Sequence, residues 1–292
     1  MIEIWLILAL SAVVMYGVSQ AAIKVALREI SAPTFILATV FMTFPTYLVI
    51  LIGSIAVGRY GNIDFEHFIY LILAAAFGQI GYYVYLEAAE SGPISIVGSI
   101  TAAYPIMVIM FAIVFLAEIL TAFQAVGVGM ITIGMIVLSY FHGSSENKSH
   151  LSRKCFTLCI ITLLLWGFWA IFTKLSLEQV DPIFFLGFYV FIIPPVTIIY
   201  FKRNRISPKK IWPKWTVPVI IAITSSIIGN IAFFFEIHAV SDGPASIVFP
   251  LVASSPVIVV LLAFVFLKER LLKIETLLIL AVIIGIILIS TV

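Results

Sequence analysis

The chain has 292 residues, of which 63% are hydrophobic and only 10% are charged. A soluble globular domain usually carries about 25% charged residues, so composition excludes a soluble protein and predicts an integral membrane protein. The net charge of +2 and the lack of basic runs interleaved with aromatic residues argue against a nucleic-acid partner. The lipid bilayer is therefore the first predicted partner.

Ten apolar segments are long enough to span a membrane, because about 20 apolar residues cross the hydrocarbon as a helix. Apolar and polar residues do not alternate with a period of two, so helices are predicted rather than a barrel. The first segment lacks the basic start and the cleavage site of a signal peptide, and it is predicted to remain as a helix. The predicted helices cover residues 4–27, 34–57, 68–88, 94–116, 122–141, 156–177, 183–201, 216–238, 245–267 and 273–291.

One stretch of sequence occurs twice. The run SGPISIV at 91–97 is repeated as DGPASIV at 242–248, 151 residues later. The same step relates four further pairs of residues: Gly78 and Gly229, Pro105 and Pro256, Glu118 and Glu269, and Gly134 and Gly285. We therefore predict two copies of a five-helix unit, at 1–141 and 155–292, joined by a polar linker at 142–154.

The odd number of helices in each unit has a geometric consequence. The second unit must cross the membrane in the opposite orientation, so the all-α fold is predicted to hold two inverted repeats. Many secondary transporters are built in this way, with the substrate site between the repeats. Alternating access, in which the site opens to one face and then to the other, is the predicted mechanism. A fused duplication without a moving part is the alternative.

Charge predicts the orientation of these helices. The loops after predicted helices 1, 3, 5, 7 and 9 define the side that we call the basic face, and they carry fourteen of the sixteen Lys and Arg residues. Only Arg59 and Lys174 belong to the opposite face. Because Lys and Arg are retained on the cytoplasmic side, the basic face is predicted to be cytoplasmic. Both termini are then outside a multi-pass protein of the plasma membrane.

Each unit also carries a proline followed thirteen residues later by a glutamate, at Pro105 and Glu118 and at Pro256 and Glu269. With the segments FLAEILTAFQAVGVGMITIG and FLKERLLKIETLLILAVIIG, this pattern resembles the EamA-type transporters of the drug/metabolite transporter superfamily. The resemblance covers nearly the whole chain. It implies a basket of ten helices whose central cavity is lined by predicted helices 1, 3, 4, 6, 8 and 9, with helices 5 and 10 at the periphery.

The resemblance implies transport but not a particular substrate, since the family includes exporters of amino acids and its relatives move sugars, nucleotide sugars and drugs. The acidic residue that small relatives carry in the middle of the first helix has no counterpart in this chain. The glycine motif at 127–134 is similar to the helix-packing motif through which small relatives dimerise. It predicts either a homodimer through helices 5 and 10 or packing within the chain.

Polar side chains inside a bilayer are costly, so polar stripes on matched helices predict a shared functional interior. Predicted helices 1 and 3 each carry such residues at a spacing of four, on one helix face, and their counterparts in helices 6 and 8 repeat part of the pattern. Hydrogen bonds that only join helices are the alternative. The predicted substrate-binding residues are Tyr16, Gln20, Lys24, Gln79, Tyr82, Tyr83, Tyr104, Trp166, Trp169, Lys174, Asn230, Phe234 and His238.

Several of these residues have two interpretations. Lys24 and Lys174 could pair with an anionic group of the substrate, or their side chains could extend to the lipid headgroups. Glu118 and Glu269 are interpreted as helix-end anchors at the membrane interface. The candidates for a coupling proton are Glu87, Glu236 and His238. The predicted gating or hinge residues are Gly92, Pro93, Pro105, Gly243, Pro244 and Pro256, because proline interrupts backbone hydrogen bonds and glycine permits sharp turns.

No enzymatic or cofactor-binding motif accompanies these features. The chain lacks the GxxxxGK[ST] motif of nucleotide hydrolysis and the HExxH motif of metalloproteases, and its four histidines are scattered. Cys155 and Cys159 have no nearby partner for a metal site. We therefore predict a secondary transporter of small organic metabolites, with amino-acid export as the first candidate. The alternatives are a carrier of drugs, nucleosides or sugar derivatives, and a channel or non-transporting scaffold.

Overall fold

The computed structural model describes residues 3–92, 94–144, 152–267 and 273–290, and within them the chain is helical apart from turns and one isolated bridge between Gly61 and Val180. The helices are α1 (Ile4–Ala26), α2 (Ala32–Ala56), α3 (Phe65–Ser91), α4 (Ile94–Thr101), α5 (Tyr104–Phe115), α6 (Ala122–Ser144), α7 (Arg153–Ser176), α8 (Pro182–Arg203), α9 (Val217–Asp242), α10 (Ala245–Val252), α11 (Pro256–Leu267) and α12 (Lys273–Ser290).

The all-helical membrane fold agrees with the sequence prediction. Within the described ranges, seven stretches are long and apolar enough to cross a bilayer: α1, α2, α3, α7, α8, α9 and the span Ala245–Leu262 that joins α10 to α11. Two shorter apolar helices cover Tyr104–Phe115 and Ala122–Leu138. The exact number of ten spans stays a prediction.

Two predicted helices are each broken into two, which corrects the sequence prediction of continuous spans at 94–116 and 245–267. The first break falls between α4 and α5, and the second falls between α10 and α11. Pro105 and Pro256 lie in the first turn of α5 and α11, where the missing N–H costs nothing, whereas the proline ring disfavours an unbroken continuation of the preceding helix. The helix continues through Pro45 in α2 and Pro194 in α8.

The two repeats interdigitate rather than lie side by side. The main packing pairs are α1 with α9, α2 with α8, α3 with α7 and α6 with α12. Each pair contains one helix from each repeat. Both repeats therefore contribute helices to the interior that lies between these pairs.

The pair of α6 and α12 packs through glycines. A Cβ atom on Gly127 would lie 2.7 Å from the backbone oxygen of Gly285, and a Cβ atom on Gly285 would lie 2.7 Å from the oxygen of Gly127. A Cβ atom on Gly134 would lie 2.9 Å from Val282. This face of the glycine motif therefore packs within the chain, whereas Gly129 has no atom within 4 Å of its Cβ position. A homodimer through these helices stays a prediction.

We predict opposite effects for two substitutions in the same helix. Gly127→Ala should lower the free energy of unfolding by about 1–3 kcal/mol, because the new methyl group meets backbone that cannot move away. Gly129→Ala should raise it by about 0.5–1 kcal/mol, since alanine loses less backbone entropy than glycine in a helix. Thermal unfolding of the purified protein in detergent measures both, and equal effects would contradict the packing through Gly127.

Candidate functional site

A cavity of about 260 Å³ lies between the two repeats. Residues of α1–α5 and α7–α11 line it, but no described side chain of α6 or α12 does, in agreement with the peripheral position that the resemblance implies for those two helices. At one end the lining includes Glu236 and Trp169, six and seven residues before the ends of α9 and α7 at the opposite face. At the other end it reaches Ile23, about one turn from the basic-face end of α1.

Most of the residues that the sequence analysis selected lie in the wall of this cavity. Helices α1, α3 and α7 contribute two, three and two of them, and α5 and α9 contribute one each. They are Tyr16, Gln20, Gln79, Tyr82, Tyr83, Tyr104, Trp166, Trp169 and Asn230, and the wall also contains the proton-carrier candidate Glu236 and the hinge candidate Pro256.

The two lysines are not in the wall. Lys24 lies in the last turn of α1, toward the basic face. Lys174 is at the opposite face, where its Nζ atom donates hydrogen bonds to the backbone oxygens of Val240 and Gly243, each at 2.9 Å. Both acceptors belong to the carboxyl end of α9, whose dipole favours a cation. Lys174 thus binds a helix end rather than facing the cavity.

Two selected residues of α9 point elsewhere. Phe234 is 37% exposed, and its ring contacts His238 with a centroid distance of 4.2 Å. The imidazole of His238 is within 2.8 Å of the Phe234 backbone oxygen. The cavity face of α9 instead carries Asn230, Phe233 and Glu236, at spacings of three, which places this row at an angle to the row predicted from spacings of four.

Glu236 is the charged residue among the described cavity-lining residues, which include no Lys, Arg or His. Its side chain is buried, with 2% exposure. The hydroxyl of Tyr16 donates a hydrogen bond of 2.6 Å to its Oε2 atom. An ionised carboxyl without a cation is costly in a nonpolar interior, and the cost falls when water enters.

Hydrogen bonds across the wall join the two repeats. Besides the bond between Tyr16 and Glu236, four bonds among the described residues connect α1 or α2 to the second repeat. They run from Ser19 Oγ to the Ser225 backbone oxygen at 2.8 Å, from Gln20 Nε2 to Ser255 Oγ at 3.1 Å, between the hydroxyls of Thr43 and Ser226 at 3.1 Å, and from the Tyr47 hydroxyl to Asn230 Oδ1 at 3.1 Å. Because these groups also face the cavity, a bound solute can compete with the bonds that hold the repeats together.

Aromatic rings form a large part of the cavity wall. Trp169 packs edge to face against Phe249, with centroids 5.6 Å apart, and its Nε1 atom donates to the Tyr189 hydroxyl at 3.2 Å. Trp166 packs against Tyr85 with centroids 5.2 Å apart. These rings present large apolar faces that suit apolar bodies and cations alike.

Sequence reasoning missed the contribution of α2 and α8. Thr39, Thr43 and Tyr47 line the cavity from α2, and Tyr189 and Ile193 line it from α8. The three residues of α2 follow the same spacing of four that selected α1 and α3, so the signal was present in the sequence. The polar pattern on α2 was not selected because the corresponding positions of α8, in the second repeat, are apolar.

The opposite face is closed by contacts between the repeats. The loop after α2 pairs with the loop after α7: the Asn62 backbone N–H donates to the Gln179 oxygen at 3.0 Å, next to the bridge between Gly61 and Val180. Arg59 Nε lies 3.0 Å from Asp181 Oδ2 in an ion pair. No cavity-lining residue comes from these loops.

Glu118 adds a second closure at this face. Its carboxylate accepts hydrogen bonds from the backbone N–H groups of Ala245 at 2.8 Å and Ser246 at 2.9 Å, and from the Ser246 hydroxyl. These groups belong to the first turn of α10, so a carboxylate from the first repeat caps a helix of the second. Ala117, with a φ of 51°, turns the chain after α5 so that Glu118 reaches this position.

The described glycines and prolines of the repeated run lie at the ends of helices. Gly243 ends α9 and Pro244 precedes α10, and a Cβ atom on Gly243 would lie 2.8 Å from the ring of Trp5. Gly92 ends α3, where a Cβ atom would lie 2.5 Å from the sulfur of Cys155. Both glycines thus permit close approach. Pro93 and Glu269 lie outside the described residues.

At the basic face, one contact between the repeats involves a proton-carrier candidate. Glu87 Oε1 accepts a hydrogen bond of 3.1 Å from Asn204 Nδ2, at the end of α8. Glu87 does not line the cavity. Nearby, Glu90 accepts a hydrogen bond from the Ala32 backbone N–H at 3.1 Å. Both carboxylates therefore accept hydrogen bonds from residues at the ends of neighbouring helices.

Known proteins resemble this arrangement. The sequence profile of the EamA-like transporter family matches residues 3–140 and 153–291. The chain belongs to the EamA-like transporter family. This EamA-like chain is also similar to a solved crystal structure, with a TM-score of 0.75 and 14% identity over 100% of this chain and 99% of the other. That likeness concerns the fold alone. No curated protein matches the chain.

Membership of the family agrees with three sequence predictions. The profile match over both repeats confirms the resemblance to EamA-type transporters. The family is one of transporters rather than of enzymes. With its long apolar helices, the EamA-like chain is a multi-pass membrane protein, and the family fits a location in the plasma membrane.

Proposed function

We propose that this EamA-like protein is a secondary transporter that moves a small organic metabolite by alternating access. The observation that carries the proposal is the cavity between two interdigitated repeats, shut at the opposite face by bonds that join one repeat to the other. Inverted repeats can exchange conformations, and the exchange would close one face as it opens the other.

The position of the cavity supports loading from the basic face. Its lining runs from Glu236, six residues before the opposite-face end of α9, to Ile23, three residues before the basic-face end of α1. The opposite face holds the Arg59–Asp181 ion pair and the Glu118 cap, both between repeats. Since the charge distribution predicts a cytoplasmic basic face, loading from there agrees with export.

Locking the opposite face should stop transport. In the double variant Arg59→Cys with Asp181→Cys, a short bifunctional thiol reagent joins the two loops in the closed arrangement. We expect solute exchange in proteoliposomes to fall at least about tenfold, because a carrier must open this face in each cycle. Equilibrium binding of the solute from the basic face should remain.

Each single variant, Arg59→Cys or Asp181→Cys, treated with the same reagent serves as a control that also tests the native Cys155 and Cys159, and it should retain exchange. Undiminished exchange in the joined double variant would contradict alternating access. Non-saturating flux in the untreated protein would instead support a channel, and no flux with any bound solute would support a non-transporting scaffold.

The chemistry of the cavity favours a solute with an amino group. Glu236 offers a partner to an ammonium group, whereas a carboxylate meets only neutral donors such as the amides of Asn230 and Gln20. A phosphate with two negative charges would be costly beside these groups, which weighs against nucleotide sugars. Amino acids remain the first candidates, and the aromatic rings of the cavity wall favour apolar or aromatic side chains.

Three compounds with the same aromatic body separate these contributions. We expect phenylalanine and 2-phenylethylamine to raise the unfolding temperature, and phenylpyruvate, which lacks the ammonium group, to leave it unchanged. A ligand at 100 times its Kd stabilises the folded protein by about 2.7 kcal/mol, which thermal unfolding detects. Stabilisation by phenylpyruvate, or by none of the three, would contradict this substrate class. Drugs and nucleosides are the next compounds to compare.

Glu236 is also the residue that we propose to carry a coupling proton. Of the three sequence candidates, it alone lines the cavity, whereas Glu87 binds Asn204 and His238 lies outside the wall. Its carboxyl meets water when the cavity opens and a nonpolar interior when it closes. Protonation can therefore change with each half of the cycle.

Glu236→Gln should uncouple transport from a pH gradient. A gradient of one pH unit supports up to about tenfold accumulation when one proton exchanges for one solute molecule, and we expect the variant to show none. Glu87→Gln is the matched control and should keep the response. Accumulation measured in proteoliposomes with and without the gradient gives the comparison, and a response retained by Glu236→Gln would exclude this role.

A further inference from the structure

A strongly basic segment joins α8 to α9 on the basic face. We call residues 202–216 the basic loop. It contains no Asp or Glu, and all of its Lys and Arg residues are exposed. These residues are Lys202, Arg203, Arg205, Lys209, Lys210 and Lys214. Besides its effect on helix orientation, such a density of one charge attracts an anionic partner.

The basic loop is held at the membrane surface by both of its ends. It starts in the last turn of α8 and leads directly into α9, which begins at Val217. The loop therefore cannot extend far from the bilayer. Its charges lie where the headgroups of one leaflet lie.

Two tryptophans of the basic loop show how deep it reaches. The ring of Trp212 packs edge to face against Phe41, with centroids 5.1 Å apart. Phe41 lies on the exposed side of α2, nine residues from the start of the helix, or about 13 Å along its axis. Trp212 is nonetheless 60% exposed and Trp215 is 78% exposed. Both rings suit the boundary between headgroups and acyl chains.

We propose that the basic loop binds the anionic headgroups of phospholipids in the leaflet at the basic face. Lysine and arginine attract phosphate and other anionic headgroups, and exposed tryptophans insert beside them. An acidic soluble protein could meet the lysines, but it would leave Trp212 below its reach against α2. A lipid satisfies the charges and the rings together.

The position of the loop places a bound lipid beside a contact between the two repeats. Asn204, within the basic loop, donates the hydrogen bond to Glu87 that joins the repeats at this face. A headgroup bound to the loop would therefore sit beside a contact between the repeats, at the face toward which the cavity extends. The lipid site is separate from the cavity and does not depend on the identity of the solute.

Tryptophan fluorescence in nanodiscs tests the proposal. Brominated phosphatidylglycerol and brominated phosphatidylcholine, each as a minor component in unlabelled phosphatidylcholine, quench tryptophans that they contact. We expect phosphatidylglycerol to show a relative association constant of about ten, falling to about one in Lys209→Gln with Lys210→Gln and Lys214→Gln. Trp212→Phe with Trp215→Phe should remove the difference between the two lipids and so assign the signal.

A matched triple variant controls for charge alone. Arg153→Gln with Lys154→Gln and Lys273→Gln removes the same charge from exposed positions on the same face, but outside the basic loop, and should keep the preference. Equal quenching by the two lipids in the wild type would overturn the proposal, as would equal losses in the two triple variants. Suppression by millimolar inorganic phosphate would show that the loop takes free phosphate instead.

Discussion

A polar group inside a bilayer must find its partner within the protein, and the fold of this chain depends on that constraint. The helices bring in hydroxyls, amides and a carboxyl that no lipid tail can satisfy. The structure satisfies several of them across the repeats, as Tyr16 does with Glu236 and Tyr47 does with Asn230. Interdigitation of the repeats follows, because neither copy carries a full set of partners for its own polar stripe.

The same constraint explains the closure of the opposite face. Helix α10 starts inside the protein, where its first N–H groups have no preceding turn to bind. Glu118 supplies the acceptors, while Lys174 supplies a donor to the last carbonyls of α9. The turn between α9 and α10 thus lies between an anion and a cation, each at the helix end that its charge suits. Glu118 is more than the interface anchor that the sequence suggested.

The sequence was sufficient for much of the fold. Apolar length predicted the helices to within a few residues at most ends, since a span must match the hydrocarbon thickness. The spacing of four on α1 and α3 selected Tyr16, Gln20 and Gln79, which the structure places around the cavity, and their role in substrate binding stays a prediction. These are local properties of single helices.

The failures concern how one helix is rotated against another. The repeat maps Tyr83 and Glu87 onto Phe234 and His238, but α9 presents the row through Phe233 and Glu236 instead. Rotation about a helix axis is set by packing against neighbours, which a step along the chain cannot report. For the same reason Lys174 was assigned to a cavity, whereas its partners are carbonyls at the end of another helix.

The pairing of α1 with α9 also bears on how the protein is made. Tyr16 and Glu236 are separated by 220 residues, so Tyr16 enters the membrane long before its acceptor has been synthesised. The same holds for Ser19 and Ser225, which are 206 residues apart. The first half must therefore wait in the bilayer as an incomplete assembly with exposed polar groups. Its maturation ends only when the last helices arrive, which makes the nascent first half the stage most open to chaperones and membrane proteases.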